Sequence, residues 1–354
     1  MASTDQDFNG IVIAVQTQAA FGTVDPECKA LSGALSVGDG IVLGDKNSGD
    51  GETGITFPNL SAIVREVAQV SASFTQQADS FIREAVEGLS ITFPLQGNGA
   101  TSSQSADEAQ PDAGIDAILG AAGLVGATGA VDPDYIYTPR ATVEYCTVHL
   151  WVADLDFILQ DCLVETLVIA STAGANALIT ANFKVGAMES YNDGVTFPTP
   201  TWGTQSSLAA PTVEGVNFNA FGLTRGFQDE LAVTITNGIE EFGDSNVDIT
   251  GIRQSQTDRI ITVDGRLYLN GTNSAAEHDA LVSTSAITDD LTFQLGTADP
   301  GSGTPTLNAA LITVAELQAK DIKYDRTGTA TVVEISGAKA TGSTAGSEFS
   351  LTYN

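Results

Sequence analysis

Residues 142–188, TVEYCTVHLWVADLDFILQDCLVETLVIASTAGANALITANFKVGAM, decide the fold. Runs rich in β-branched and aromatic residues fill 142–152, 155–162, 163–171 and 176–188. Short links separate them, at Ala153-Asp154 and at Thr172–Ala175. A parallel pair needs a crossover of a dozen or more residues, so links this short predict antiparallel hairpins.

The same reading extends outward in both directions. In IVREVAQVSASFTQ (63–76), Val64, Ala68, Val70, Ala72 and Phe74 fall on one side and Gln69, Ser71 and Ser73 on the other. In VEGLSITFPLQG (86–97), Leu89, Ile91, Phe93 and Leu95 alternate with Ser90, Thr92 and Gln96. A period of two is the mark of a half-buried strand. Pro94 has no N–H for a ladder and predicts a bulge or an edge position there. Further strands are expected at 11–17, 213–221, 230–238, 259–270, 291–296, 308–317, 329–336 and 348–354. Two short helices are expected. PDAGIDAILGAAGL (111–124) has Asp112 as N-cap and Gly123 as its stop, and SAAEHDALVST (274–284) is the other. The segment 24–62 carries glycines at short intervals and reads as a long loop or insertion, with a small hairpin around Ile41–Leu43, and 97–110 reads as a polar loop. No linker marks a domain boundary, so 1–354 reads as a single domain.

Composition restricts function. The 354 residues include 14 Lys and Arg against 44 Asp and Glu, a net charge of −30, and 42% are hydrophobic. Such a surface repels phosphate and excludes a grip on nucleic acid through basic patches. Cys28, Cys146 and Cys162 form neither a disulfide framework nor a zinc motif and are expected to be small buried hydrophobes. His149 and His278 lack a partner at ligand or triad spacing. Asp154 with Asp156, and Glu240 with Glu241, sit at expected turns or strand ends and read as solvated acids. DKNSGDGET (45–53) fails as a calcium loop because Asp50 holds the place of the obligatory glycine. No enzyme, cofactor or metal is expected. Neither a secretion signal nor a membrane-spanning run is read, which predicts a soluble product made in a cytoplasm.

Five stretches, in this order, resemble the tail tube proteins of long, non-contractile bacteriophage tails. QTQAAFGT (16–23) is similar to the family's opening strand and its aromatic-Gly-Thr turn. VSASFTQ and EGLSITFPLQGNG (70–76 and 87–99) resemble its two strands before a Gly-rich loop. PDAGIDAILGAAGL and DPDYIYTP (111–124 and 132–139) resemble its short helix and the Tyr-x-Pro stretch after it. LDFILQDCLVETLVIASTAGANALITANFKVG (155–186) resembles the central hairpin, in which a strand meets a Gly-Cys turn; Cys162 fits, and Asp161 stands where Gly is usual. DIKYDRTGTATVVEISGAKATGSTAGSEFSLTYN (321–354) resembles the closing hairpin.

The resemblance implies a mainly β chain: an antiparallel β-sandwich or partial barrel with one or two short helices, contributing strands to an inter-subunit β-barrel. It implies a structural virion protein, made in the host cytoplasm, whose homohexameric rings stack into the conduit for DNA ejection. The partners implied are further copies, the tape measure protein, the tail terminator, the distal tail proteins and DNA in non-adhesive passage, with no membrane. The segments 24–62 and 97–110 would serve ring-to-ring contacts. Alternation nominates Gln69, Ser71, Ser73, Ser90, Thr92, Gln96, Asp161 and Glu165 for the bore, or equally for solvent or a neighbouring subunit. The rival readings are the tube of a contractile tail, a surface-layer or adhesin-type β-protein, and a β-sandwich hydrolase.

Overall fold

The computed structural model describes residues 11–18, 34–35, 71–76, 86–95, 113–129, 134–141, 144–152, 155–172, 177–192, 199–200, 219–220, 223–224, 227–243, 252–268, 279, 290–295, 310–318, 321–327, 330–341 and 346–353. Two antiparallel sheets and one helix make up the fold, with no closed barrel among these residues, as expected for a β-sandwich.

The larger sheet runs, neighbour to neighbour, through β18 (Leu317–Gln318), β20 (Ala330–Ala340), β15 (Ile252–Tyr268), β14 (Phe227–Gly243), β8 (Leu155–Thr172), β9 (Leu178–Lys184), β4 (Val86–Pro94) and β3 (Ser71–Gln76). Four strands branch from this path. β19 (Asp321–Thr327) lies beside β20, β10 (Ala187–Asn192) and β7 (Cys146–Val152) beside β8, and β1 (Ile11–Thr17) beside β7. The smaller sheet runs β13 (Leu223–Thr224), β12 (Asn219–Ala220), β16 (Leu291–Leu295), β17 (Ala310–Val314), β21 (Phe349–Tyr353), β6 (Tyr135–Pro139) and β5 (Leu124–Thr128). A parallel pair joins β2 (Ala34–Leu35) to β11 (Thr199–Pro200), so the segment read as a long loop contributes two paired residues.

Alternation sorts the side chains as expected. β9 and β17 bury every second residue. Leu89, Leu167 and Val233 of the larger sheet join Phe293, Ile312 and Leu351 of the smaller one in a single buried cluster. Two sheets each with one apolar face can dry those faces only against each other, which is why the chain forms a sandwich. α1 (Ala113–Ala121) packs beside β1 and β5 and brings Ile115, Ile118 and Leu119 into the same core. Gly123 ends it with φ +79°, the left-handed stop that glycine adopts without strain.

One expectation is corrected. The runs 155–162 and 163–171, read as two strands about a turn, are one 18-residue strand, β8. Its first half pairs with β7 and β10, and its second half with β9 and β14. The change of partners falls at Asp161, where φ is +53°. A left-handed residue bends a strand without ending it, so the ladder resumes in new company. The strands read at 230–238 and 259–270 are also longer than expected, 17 residues each. The helix read at 274–284 lies outside the described residues except for Asp279, as does the hairpin around Ile41–Leu43.

Candidate functional site

The face of the larger sheet turned away from the core is a band of small polar groups. Register sets two lines of cross-strand neighbours through it. One runs Ser73, Ser90, Asn182, Thr166, Thr236 and Ile260 from β3 to β15. The other runs Ser71, Thr92, Thr180, Val168, Thr234, Thr262 and Lys339 from β3 to β20. Ser73, Thr236, Ile260 and Lys339 are exposed, and Ser90, Thr92, Thr180, Asn182, Thr166, Val168, Thr234 and Thr262 are half-buried. Thr92 and Thr180 share a hydroxyl–hydroxyl hydrogen bond of 3.0 Å. At about 4.8 Å between strands, the seven strands of the second line span roughly 29 Å.

Four of the nominated residues meet here, since Ser71 pairs with Thr92 and Ser73 with Ser90. Glu165 reaches the same face by a different route. A register shift falls between Val164 and Thr166, and Glu165 and Thr166 are both half-buried between buried Val164 and Leu167. The extra residue of a β-bulge puts two successive side chains on one side of the sheet. Gln69 and Gln96 lie outside the described residues. Thr166, Thr180, Asn182, Thr234 and Thr236 belong to the band and were not nominated; the alternation in LITANFK and LAVTIT was the signal for all but Thr166, which the bulge of β8 brings to this face.

Asp161 is a correction, because its own subunit encloses it. It is 2% exposed, its backbone N–H donates to Gln18 Oε1 at 3.0 Å, and Gln18 Nε2 donates to its carboxylate. Gln18 also accepts from the Thr147 hydroxyl at 3.2 Å, and its N–H donates to Tyr145 O at 2.8 Å. A side chain shut inside one subunit cannot line a bore between several. The φ of +53° is the conformation glycine adopts freely, and here the Gln18 side chain holds an aspartate in it. Gln18, missed in the sequence, ties the end of β1 to the bend of β8.

Beyond β15 the same face changes character. Arg266 pairs with Asp325 at 2.9 Å and approaches Asp229 at 4.0 Å, and Lys323 pairs with Glu334 at 3.5 Å. Asp264 accepts from the Gly337 N–H at 2.8 Å and the Ser336 hydroxyl at 3.2 Å. Arg266 and Lys323 of this margin stand beside carboxylates, whereas exposed Lys339 lies between Thr262 and Gln318 in register.

Side chains from the larger sheet also fix the helix. Asn237 donates to Ala122 O at 3.0 Å and Val164 O at 2.9 Å, and its register partner Arg259 donates to Gly123 O and Arg140 O at 3.0 Å each. Arg140 donates to Gly120 O at 3.3 Å. The last carbonyls of a helix have no partner within it, and cationic donors suit the negative end of its dipole.

His149 is buried in β7, and Cys146 and Cys162, also buried, face each other across β7 and β8. Among the described residues no group of three or more His, Cys, Asp or Glu is placed to hold a metal ion. A scan against protein-family models and a search of curated proteins each return no match.

Proposed function

We propose that this chain is the major subunit of a bacteriophage tail tube, a non-enzymatic structural protein whose rings stack into a channel for DNA. The observation that carries the reading is the band on the larger sheet: hydroxyls and amides from β3 to β15, six strands, in a chain of net charge −30. Non-specific affinity for DNA comes from cations that displace counterions from phosphate. Ser, Thr and Asn supply none, and Lys184, the cation among the central strands, is half-buried, so DNA would slide along the wall. Strands of 17 and 18 residues, β14, β15 and β8, extend roughly 55–60 Å if straight, ample to wall one ring. In this reading strand edges pair from copy to copy, which removes open edges.

Negative-stain electron microscopy of the concentrated protein tests the proposal, with DNA retention measured beside it. Hollow tubes or stacked rings that do not retain duplex DNA at about 50 mM salt are expected. Monodisperse monomers at every concentration, or tight salt-sensitive DNA binding, would contradict it.

A further inference from the structure

We infer that the free edge of β5, at the margin of the smaller sheet, is a docking strand for a second copy of this chain. β5 has one partner strand among the described residues, β6. The Gly129 N–H donates to Asp134 O at 2.7 Å, and the Arg140 N–H donates to Gly123 O at 2.9 Å. Backbone groups alternate in direction along a strand, so residues 123, 125, 127 and 129 turn theirs toward β6. Gly126 and Thr128 therefore turn their N–H and C=O groups off the open edge, while Leu124, at the start of the strand, is 1% exposed and already covered.

Natural sheets guard such edges with charge, proline or a covering segment. β19, at the margin of the larger sheet, is guarded in this way, with Asp321, Lys323, Asp325 and Arg326 all exposed. β5 is not. Val125 is 40% exposed, Ala127 and Thr128 are exposed, and residues 117–131 carry no charge. Gly126 is held open from below, since a Cβ there would lie 2.3 Å from the Tyr135 ring. The strand thus keeps its shape with an edge that no other strand pairs with among the described residues.

Charge names the occupant. Two copies of a −30 chain repel each other over most of their surfaces, and contact is cheapest where neither brings a carboxylate. A basic partner would be drawn to the acidic surface instead and would gain nothing from an uncharged edge. Main-chain pairing across an open edge is an established mode of strand addition. This contact does not depend on the assembly being a tube.

The test uses the full chain. Thr128→Pro removes an N–H that points off the edge and leaves the β5–β6 ladder intact, and Val125→Glu places a charge on the exposed side. Sedimentation velocity over about 1–100 µM should show the unmodified chain associating, and both variants weakened at least ten-fold with melting temperatures nearly unchanged. Hydrogen exchange at Gly126 and Thr128 should slow on association. If both variants associate like the unmodified chain, or if that chain stays monomeric with these amides exchanging freely, the inference is wrong. Hollow tubes built equally well by both variants would overturn this contact and spare the tube; variant-sensitive association into compact, solid particles would do the reverse.

Discussion

Two parts of one sheet face solve the problem of a polar surface differently. From β3 to β14 it is built of hydroxyls and amides, with Glu165 and Lys184 as the half-buried charges in its central strands. From β15 to β19 it is built of ions in pairs, Arg266 with Asp325 and Lys323 with Glu334. Either surface is wetted easily. They differ in what a passing polyanion meets: the band offers dipoles too weak to hold it, and the margin offers cations whose charge carboxylates already answer. In the proposed assembly an acidic chain would avoid holding DNA in two ways, by uncharged dipoles in the band and by paired ions at the margin.

The comparison breaks most readily by adding a cation to the band. Thr234→Lys would add one lysine per subunit, six per ring in the proposed assembly. With about six new phosphate contacts, assembled protein should retain DNA at low salt, with affinity falling roughly 10³-fold between about 50 and 200 mM salt. Filter binding across a salt series measures it. The same substitution at exposed Ser336 of the margin should do much less, because Asp321 faces it in register and the Asp264 carboxylate already accepts from its hydroxyl.

Next in size is the core that supports both parts. Arg259→Ala strips the donors from Gly123 O and Arg140 O and from Glu348, and should cost about 2–4 kcal/mol in urea unfolding. Asp161 gives a finer measure. Asp161→Gly should be better tolerated than Asp161→Ala by about 1 kcal/mol, since only glycine takes φ +53° without strain.

Alkaline pH should destabilise the protein through its buried phenols. Burial raises the Tyr137 phenol far above its ordinary range, helped by the Asp116 carboxylate to which it donates at 2.6 Å, and burial raises Tyr353 as well. A folded value above the unfolded one keeps stability complete below about pH 10. Above that the unfolded chain loses these protons first, and stability should fall by about 1.4 kcal/mol per pH unit for each group. Denaturant titration between pH 9 and 12 reads the slope, and Tyr137→Phe should reduce it. The smallest effect is expected at the margin, where Arg266→Ala breaks exposed ion pairs and should cost at most about 1 kcal/mol.

Much of this was legible before the coordinates. Alternation in 86–97 settled that Leu89, Ile91, Phe93 and Leu95 face the core, because a period of two leaves no choice of side once one face is apolar. The helix at 113–121 was legible from its apolar face and from Gly123. The continuity of β8 was not, since the bend at Asp161 is held by Gln18, a residue 143 positions away in the chain. β5 went unread because LVGAT shows no alternation and follows directly on the helix stop. The band was half legible. Ser71, Ser73, Ser90 and Thr92 were found strand by strand, whereas Thr166, Thr180 and Thr234 join them only through the pairing of β8, β9 and β14, which periodicity does not encode.

The most direct test is a cryo-electron microscopy map of the assembled protein, resolved well enough to trace β4, β8, β9 and β14. The account predicts a hollow cylinder with Ser90, Thr92, Thr166, Thr180 and Thr234 turned to the bore. A map in which that band is buried against another subunit, or faces outward around a solid particle, would contradict it.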